Sequence, residues 1–166
     1  MFQNHTVAYG RERVVVKNVH ERDLGVPAGP FVERIQELWP PTWGRQEFDR
    51  PLGVGADGGH GPIRYHCTEF KPGESITFAF SSGEGTHTLS ASGTVLRHEL
   101  IGDFSLGPRL RWALVIRWLH DACLEDLLDN VERAAGREPA APAQWSPWVR
   151  LVRRVFGVIS RQPARA

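Results

Sequence analysis

Cysteine, methionine and lysine are scarce in this 166-residue chain, which holds two cysteines, one methionine and two lysines. Two cysteines, Cys67 and Cys123, cannot build a disulfide framework, and neither belongs to a C-x-x-C motif, so a reducing cytoplasm is the expected home. No stretch approaches the ~18 apolar residues of a membrane span. Met1 to Gly10 is polar and lacks the apolar core of a signal peptide. Arginine replaces lysine almost throughout, a bias that fits a G+C-rich bacterial coding sequence.

With 41% hydrophobic and 23% charged residues the composition is globular, and the length suits one domain with a sizeable core. The net charge of +1 hides an asymmetry. Residues 137–166 hold six arginines and one glutamate, whereas residues 1–136 are mildly acidic. A nucleic-acid reader carries its basic stripe on the folded domain, so nucleic acid is not an expected partner.

Arg13 to His20 is rich in β-branched residues and reads as a first strand. Phe31, Ile35, Leu38 and Trp39 recur at helical spacing until Pro40-Pro41 stops the helix, and Thr42 to Phe48 allows one further turn. The glycine-punctuated middle reads as an antiparallel meander, with strands expected near Arg50–Val54, Pro62–Phe70, Ser75–Ser81, Thr86–Ala91 and Thr94–Phe104. Lys71-Pro72-Gly73-Glu74 and Ser92-Gly93 supply turns. Leu110 to Arg133 is the longest helical signal: Trp112, Ile116, Leu119, Cys123 and Leu127 share one face, and Asp121, Glu125 and Glu132 are expected on the solvent side. An Ala/Pro linker follows, and then Ser146-Pro147 opens a short amphipathic helix carrying Trp148, Leu151, Val152, Val155 and Ile159 on its apolar face.

The order of these elements resembles the helix-grip fold. Trp39-Pro40-Pro41-Thr42-Trp43, Gly61-Pro62-Ile63-Arg64-Tyr65, Glu69-Phe70-Lys71-Pro72-Gly73, Thr94-Val95-Leu96-Arg97-His98-Glu99 and Leu119-His120-Asp121 are similar to segments of the START-like (SRPBCC, polyketide cyclase/dehydrase-like) superfamily. The resemblance covers roughly residues 12–134. It implies an α+β fold in which a curved antiparallel sheet wraps a long C-terminal helix, with an apolar cavity between them, and a short extra amphipathic helix beyond. The expected organisation is a START-like domain at 1–136 and a linker with a basic tail helix at 137–166. Superfamily members bind lipids, polyketides or aromatic metabolites and a minority are enzymes, so the fold does not choose the function.

Gly53-Val54-Gly55-Ala56-Asp57-Gly58 matches G-x-G-x-x-G by letter, but Gly59-His60-Gly61-Pro62 cannot open the helix a dinucleotide needs. It reads as a flexible hairpin loop, and no cofactor is expected. No H-x-x-x-H pair or other ligand spacing appears among the seven histidines, so no metal is expected either. His87 and His98 stand out because each lies in an otherwise apolar strand face, where a ring nitrogen must find a partner. Each is either a hydrogen-bonded core histidine or a polar anchor in a pocket. His120, on the flank of the long helix, can reach the same space. Trp43 reads as a core anchor or part of a lid, Tyr65 and Cys67 share a face with Ile63, and packing is the simplest role for Cys67.

Three functions stay open. The first is binding of a lipophilic or aromatic small molecule, contacted by Trp43, Tyr65, Phe78, Phe80, Leu96, Leu100, Ile116, Leu119 and Cys123, with His87, His98 and His120 as polar contacts. The second is a cyclase or dehydrase acting in the same cavity, which two histidines converging on one point would favour. The third is an interaction module working through the basic tail. The tail helix is expected to dock on the protein in preference to a membrane surface, and a homodimer is compatible with that docking.

Overall fold

A computed structural model of the chain describes residues 3–9, 13–82 and 85–159. The strands are β1 (Gln3–Tyr9), β2 (Arg13–Asp23), β3 (Gln46–Phe48), β4 (Asp57–His60), β5 (Ile63–Lys71), β6 (Ser75–Phe80), β7 (Gly85–Ser92) and β8 (Val95–Phe104). All neighbours are antiparallel, and the spatial order is β1-β2-β8-β7-β6-β5-β4-β3, so the second strand lies against the last. Short helices α1 (Gly29–Glu33) and α2 (Ile35–Leu38) follow β2. After β8 a continuous 29-residue helical rod runs from α3 (Leu106–Arg111) through a π-helical stretch (Trp112–Ile116) into α4 (Arg117–Ala134). The tail forms α5 (Pro147–Ile159). This is the expected α+β helix-grip arrangement with its extra C-terminal helix.

Alternation builds the inner face of the sheet. Ile76 and Phe78 on β6, Leu89 on β7, and Leu96, His98 and Leu100 on β8 are buried, while their neighbours in sequence point outward. Phe31, Val32, Ile35 and Leu38 close one side of the core, and Leu124, Leu127, Leu128 and Val131 of α4 cover it. A smaller cluster of Val16, Leu100 and Trp112 continues it, with Phe80, Phe104 and Ile116 half-buried around it.

Several expectations need correction. The first helix is two pieces broken at Arg34, and Thr42 to Phe48 divides into a 3-10 turn at Pro41–Trp43 and strand β3. Residues 50–55 are turns, not a strand. The glycine-rich segment is ordered as β4, because its glycines permit close backbone approach. A Cβ at Gly58 would overlap the Glu47 carbonyl oxygen, and one at Gly59 would overlap that of Ile63. Strand β1 has no counterpart in the sequence reading.

The largest difference concerns the acidic stripe of α4. It faces β2, not solvent, and Asp129 and Glu132 are buried. Asn18 Nδ2 donates to Asp121 Oδ1 at 2.9 Å, and His20 Nδ1 lies 3.0 Å from Glu125 Oε1. The Arg22 guanidinium donates to Glu125, Asp129 and Glu132 at 2.9, 3.2 and 2.6 Å. Residues two apart on a strand advance about 6.6 Å, and residues four apart on a helix advance about 6 Å. Asn18, His20 and Arg22 therefore keep pace with Asp121, Glu125 and Asp129 along the crossing.

The tail helix docks on the body through Val149 and Val152, both buried, while Trp148, Leu151 and Val155 stay exposed. Arg153 lies 4.1 Å from the ring centroids of both Trp43 and Trp145, and both indole N–H groups donate to Asp126 Oδ2. Among the described residues no helix is long and apolar enough to cross a membrane.

Replacing Arg22 by Leu strands two buried carboxylates, and such a loss is expected to cost about 3 kcal/mol. Urea unfolding measures it. Adding Glu132→Leu to that variant should return part of the loss, and a double variant less stable than Arg22→Leu alone would contradict the pairing.

Candidate functional site

Four histidines meet where the sheet faces the N-terminal half of α4. His98 is directly opposite His20 across the β2–β8 ladder, and on its other side it faces Leu89 of β7. His87 is two residues before Leu89 on β7, hence diagonal to His98 on the same face, and it pairs with Phe78 of β6. His120 descends from α4. Ring centroids are 5.3 Å apart for His87–His98, 5.8 Å for His87–His120, 5.2 Å for His98–His120 and 5.8 Å for His20–His120.

The π-helical stretch helps to aim His120. In a plain α-helix Trp112 and His120, eight residues apart, would differ by ~80° in direction. The wider i→i+5 turns reduce that offset. The two rings end 5.6 Å apart on the same interior. On the sheet side the rings continue outward: Phe80 lies 4.3 Å and Tyr65 6.0 Å from His87, and His60 bridges Tyr65 and Trp39 at 6.1 and 4.6 Å.

Two electrostatic regimes adjoin here. Burial opposes the charged form of His20, but hydrogen bonds to Asp121 and Glu125 outweigh it and raise the pKa above the ordinary value. Burial would raise both carboxyls. The neighbouring His120 ring and the hydrogen bond with His20 hold Asp121 far below the ordinary range, and His20 and Arg22 hold Glu125 below it. The other three imidazoles behave oppositely. Desolvation drives His87 and His98 well below 6.5 and lowers His120, with the proximity of the other histidines adding to it. His60 falls to about 4 for the same first reason, and burial pushes the Tyr65 hydroxyl up to about 12. At neutral pH the trio His87, His98 and His120 is uncharged.

The trio is also short of partners. His87 Nδ1 and His98 Nε2 are 3.2 Å apart and share one hydrogen bond. His87 Nε2, His98 Nδ1 and both nitrogens of His120 are buried without a hydrogen-bond partner, although His120 Nδ1 lies 3.9 Å from Asp121 Oδ1. Uncommitted imidazole nitrogens among aromatic rings can orient a hydroxyl or carbonyl, move a proton or ligate a metal ion.

Of the sequence-selected residues, Tyr65, Phe78, Phe80, His87, His98 and His120 come together around this point, and Leu100 and Ile116 border it in the smaller cluster. Leu96 and Cys123 belong to the main core, and burial raises the Cys123 thiol pKa. Leu119 is half-buried on α4. Trp43 stands apart, clamped by the tail. Two surface hollows, of about 630 and 390 Å³, lie along α5 and beside Trp39, and neither is lined by any of the selected residues. The residues missed were Asn18, His20, Arg22, Asp121 and Glu125. The signal for three of them was the alternation of Asn18, His20 and Arg22 along β2, polar side chains at the period of a buried strand face.

No protein-family model matches the chain, and no curated protein sequence matches it. Similar solved structures include the conserved protein of unknown function EF2215 from Enterococcus faecalis, 10% identical over 95% of this chain and 90% of that one, with a TM-score of 0.52. CalU16 from Micromonospora echinospora is 15% identical over 96% and 93% of the two chains with a TM-score of 0.44. DynU16, a protein in the dynemicin biosynthetic locus, is 14% identical over 79% of this chain and 49% of its own, with a TM-score of 0.47. At such identities the likeness to EF2215 concerns the fold, an antiparallel sheet gripping a long helix.

Proposed function

We propose that the protein is a START-like binding protein for a lipophilic or aromatic small molecule that inserts between the sheet and the rod, with His87, His98 and His120 as its polar anchors. One observation carries this reading: the trio presents buried nitrogens with no partner. Each unsatisfied buried group costs about 1–3 kcal/mol, a cost that a ligand hydroxyl or carbonyl would offset. The surroundings supply the apolar contacts a small-molecule site needs, and the half-buried Phe80, Phe104 and Ile116 offer an edge through which the rings could part. The convergence of three neutral imidazoles on one region also favours a second reading, proton transfer on a polyketide-like substrate held there, since neutral imidazole is the basic form at pH 7.

Titration with 2-naphthol, followed by fluorescence, tests the binding reading. Saturable binding that weakens roughly tenfold in His98→Leu, about 1.4 kcal/mol, is the expected result. A variant that melts much earlier yet binds unchanged would make His98 a structural residue.

Stability should also depend on pH in a defined direction. His60, His87, His98 and His120 are neutral when folded and regain a value near 6.5 when unfolded. Their contribution is therefore complete above that value and is lost as pH falls below it. His20 has the opposite sign: its contribution is complete below 6.5 and declines as pH rises through its raised folded value. Four groups against one leave the acid side weaker. Chelator-treated protein should lose stability between pH 7.5 and 5.5, each buried imidazole adding at most ~1.4 kcal/mol per pH unit to the slope. A stability profile that is flat or rises over that interval would contradict neutral imidazoles in the interior.

A further inference from the structure

We propose that His87, His98 and His120 form a binding site for one divalent transition-metal ion, with zinc(II) the ion their chemistry fits best. The inference rests on the trio being the interior polar site, and it does not require that a lipophilic molecule also binds.

The geometry is that of a donor set. One ring nitrogen from each of the three histidines lies within 4.8 Å of the others. Zinc–nitrogen bonds of 2.0–2.1 Å at tetrahedral angles separate two ligating nitrogens by about 3.3 Å. His87 Nδ1 and His98 Nε2 already stand 3.2 Å apart. A hydrogen bond between two neutral imidazoles uses one lone pair and one proton, whereas an ion between them uses both lone pairs. His120 supplies a third donor from the opposite wall. Its Nδ1 faces Asp121 at 3.9 Å, which leaves Nε2 for the ion. A carboxylate behind a ligating histidine fixes the ring and raises its basicity.

Charge agrees with this set. Asp121 and Glu125 place negative charge behind it to offset a dication. A competing set, His20 with His120 and Asp121, is also within reach. There His20 is committed elsewhere, since its two ring nitrogens already meet Glu125, Asn18 and Asp121. Imidazole-only sites suit zinc, copper, nickel and iron, and exclude the oxygen-seeking magnesium and calcium. Three nitrogen ligands leave a fourth tetrahedral position for water or for an oxygen of a bound molecule. A ligand in the grip would then meet a Lewis acid as well as apolar walls, which narrows its class to molecules carrying an oxygen donor.

The test uses the full chain, stripped with a chelator and desalted, with no organic ligand present. Calorimetric titration with zinc chloride should give one ion per chain. Cobalt(II) should give the intense visible bands of four-coordinate nitrogen-bound metal. His87→Phe and His120→Phe keep a ring in the core, and each should weaken zinc binding by more than the ~10–100-fold that loss of an outer partner causes. His66→Gln, at a histidine outside the set, should bind as the parent does. No zinc uptake by the stripped parent, the pale spectrum of six-coordinate cobalt, or variants that bind like the parent would each overturn the proposal. If the phenylalanine variants fail to fold, the cobalt spectrum of the parent decides. Repeating the 2-naphthol titration on stripped and zinc-loaded protein separates the two readings, because metal uptake without naphthol binding removes only the lipophilic ligand.

Discussion

The match between a two-residue step on β2 and a four-residue step on α4 is the constraint on which the interior depends. It lets Asn18, His20 and Arg22 meet Asp121, Glu125 and Asp129 in sequence, and it fixes both the height and the rotation of the rod over the sheet. Hydrophobic contact alone would allow the rod to slide or roll, since leucine packs against many neighbours. Charged partners do not tolerate that freedom, because a one-turn slip would leave buried carboxylates unpaired. The rotation so fixed turns His120 toward His87 and His98 while Leu124, Leu127 and Val131 cover the apolar part of the sheet.

Polar and neutral zones are thereby kept next to each other without merging. His20 belongs to the charged ladder, and the trio begins one ring further in. His98 marks the boundary, opposite His20 on one side and bonded to His87 on the other. His20 and His98, paired across the ladder, are pushed in opposite directions because His20 has carboxylates beside it and His98 has only rings. Such a division leaves the trio as lone-pair donors at neutral pH, whether the group they meet is an organic oxygen, a proton or a metal ion.

Much of this was legible in the residues. Strict alternation on β6 and β8 marked the inner face, and His87 and His98 were conspicuous there as polar residues in apolar company. The long helix was equally visible through its period. From sequence the acidic stripe reads as solvent-facing because amphipathicity assigns charges to solvent unless a partner is known, and the partner lies about a hundred residues earlier in β2. The glycine-rich sequence of β4 resembles a loop, whereas Gly58 and Gly59 serve close packing against β3 and β5. The cation–π clamp of the tail could not be read locally either, since Trp43, Trp145 and Arg153 come from three separate segments.

The π-helical stretch at Trp112–Ile116 marks where the rod can change length by one residue. A π turn differs from an α turn by one additional residue. Deleting a single residue there would restore an uninterrupted α-helix and satisfy every backbone group. An α turn with one residue fewer sweeps nearly the same full circle, so everything upstream would keep its direction relative to α4 within roughly 20°. Trp112 would stay in the interior beside His120. The same deletion between Arg117 and His120, where the turns are already α-helical, would swing Trp112 by roughly 100° out of the wall. The rod should therefore accept the loss of one residue in the π-helical stretch far more readily than in the α-helical turns that follow it.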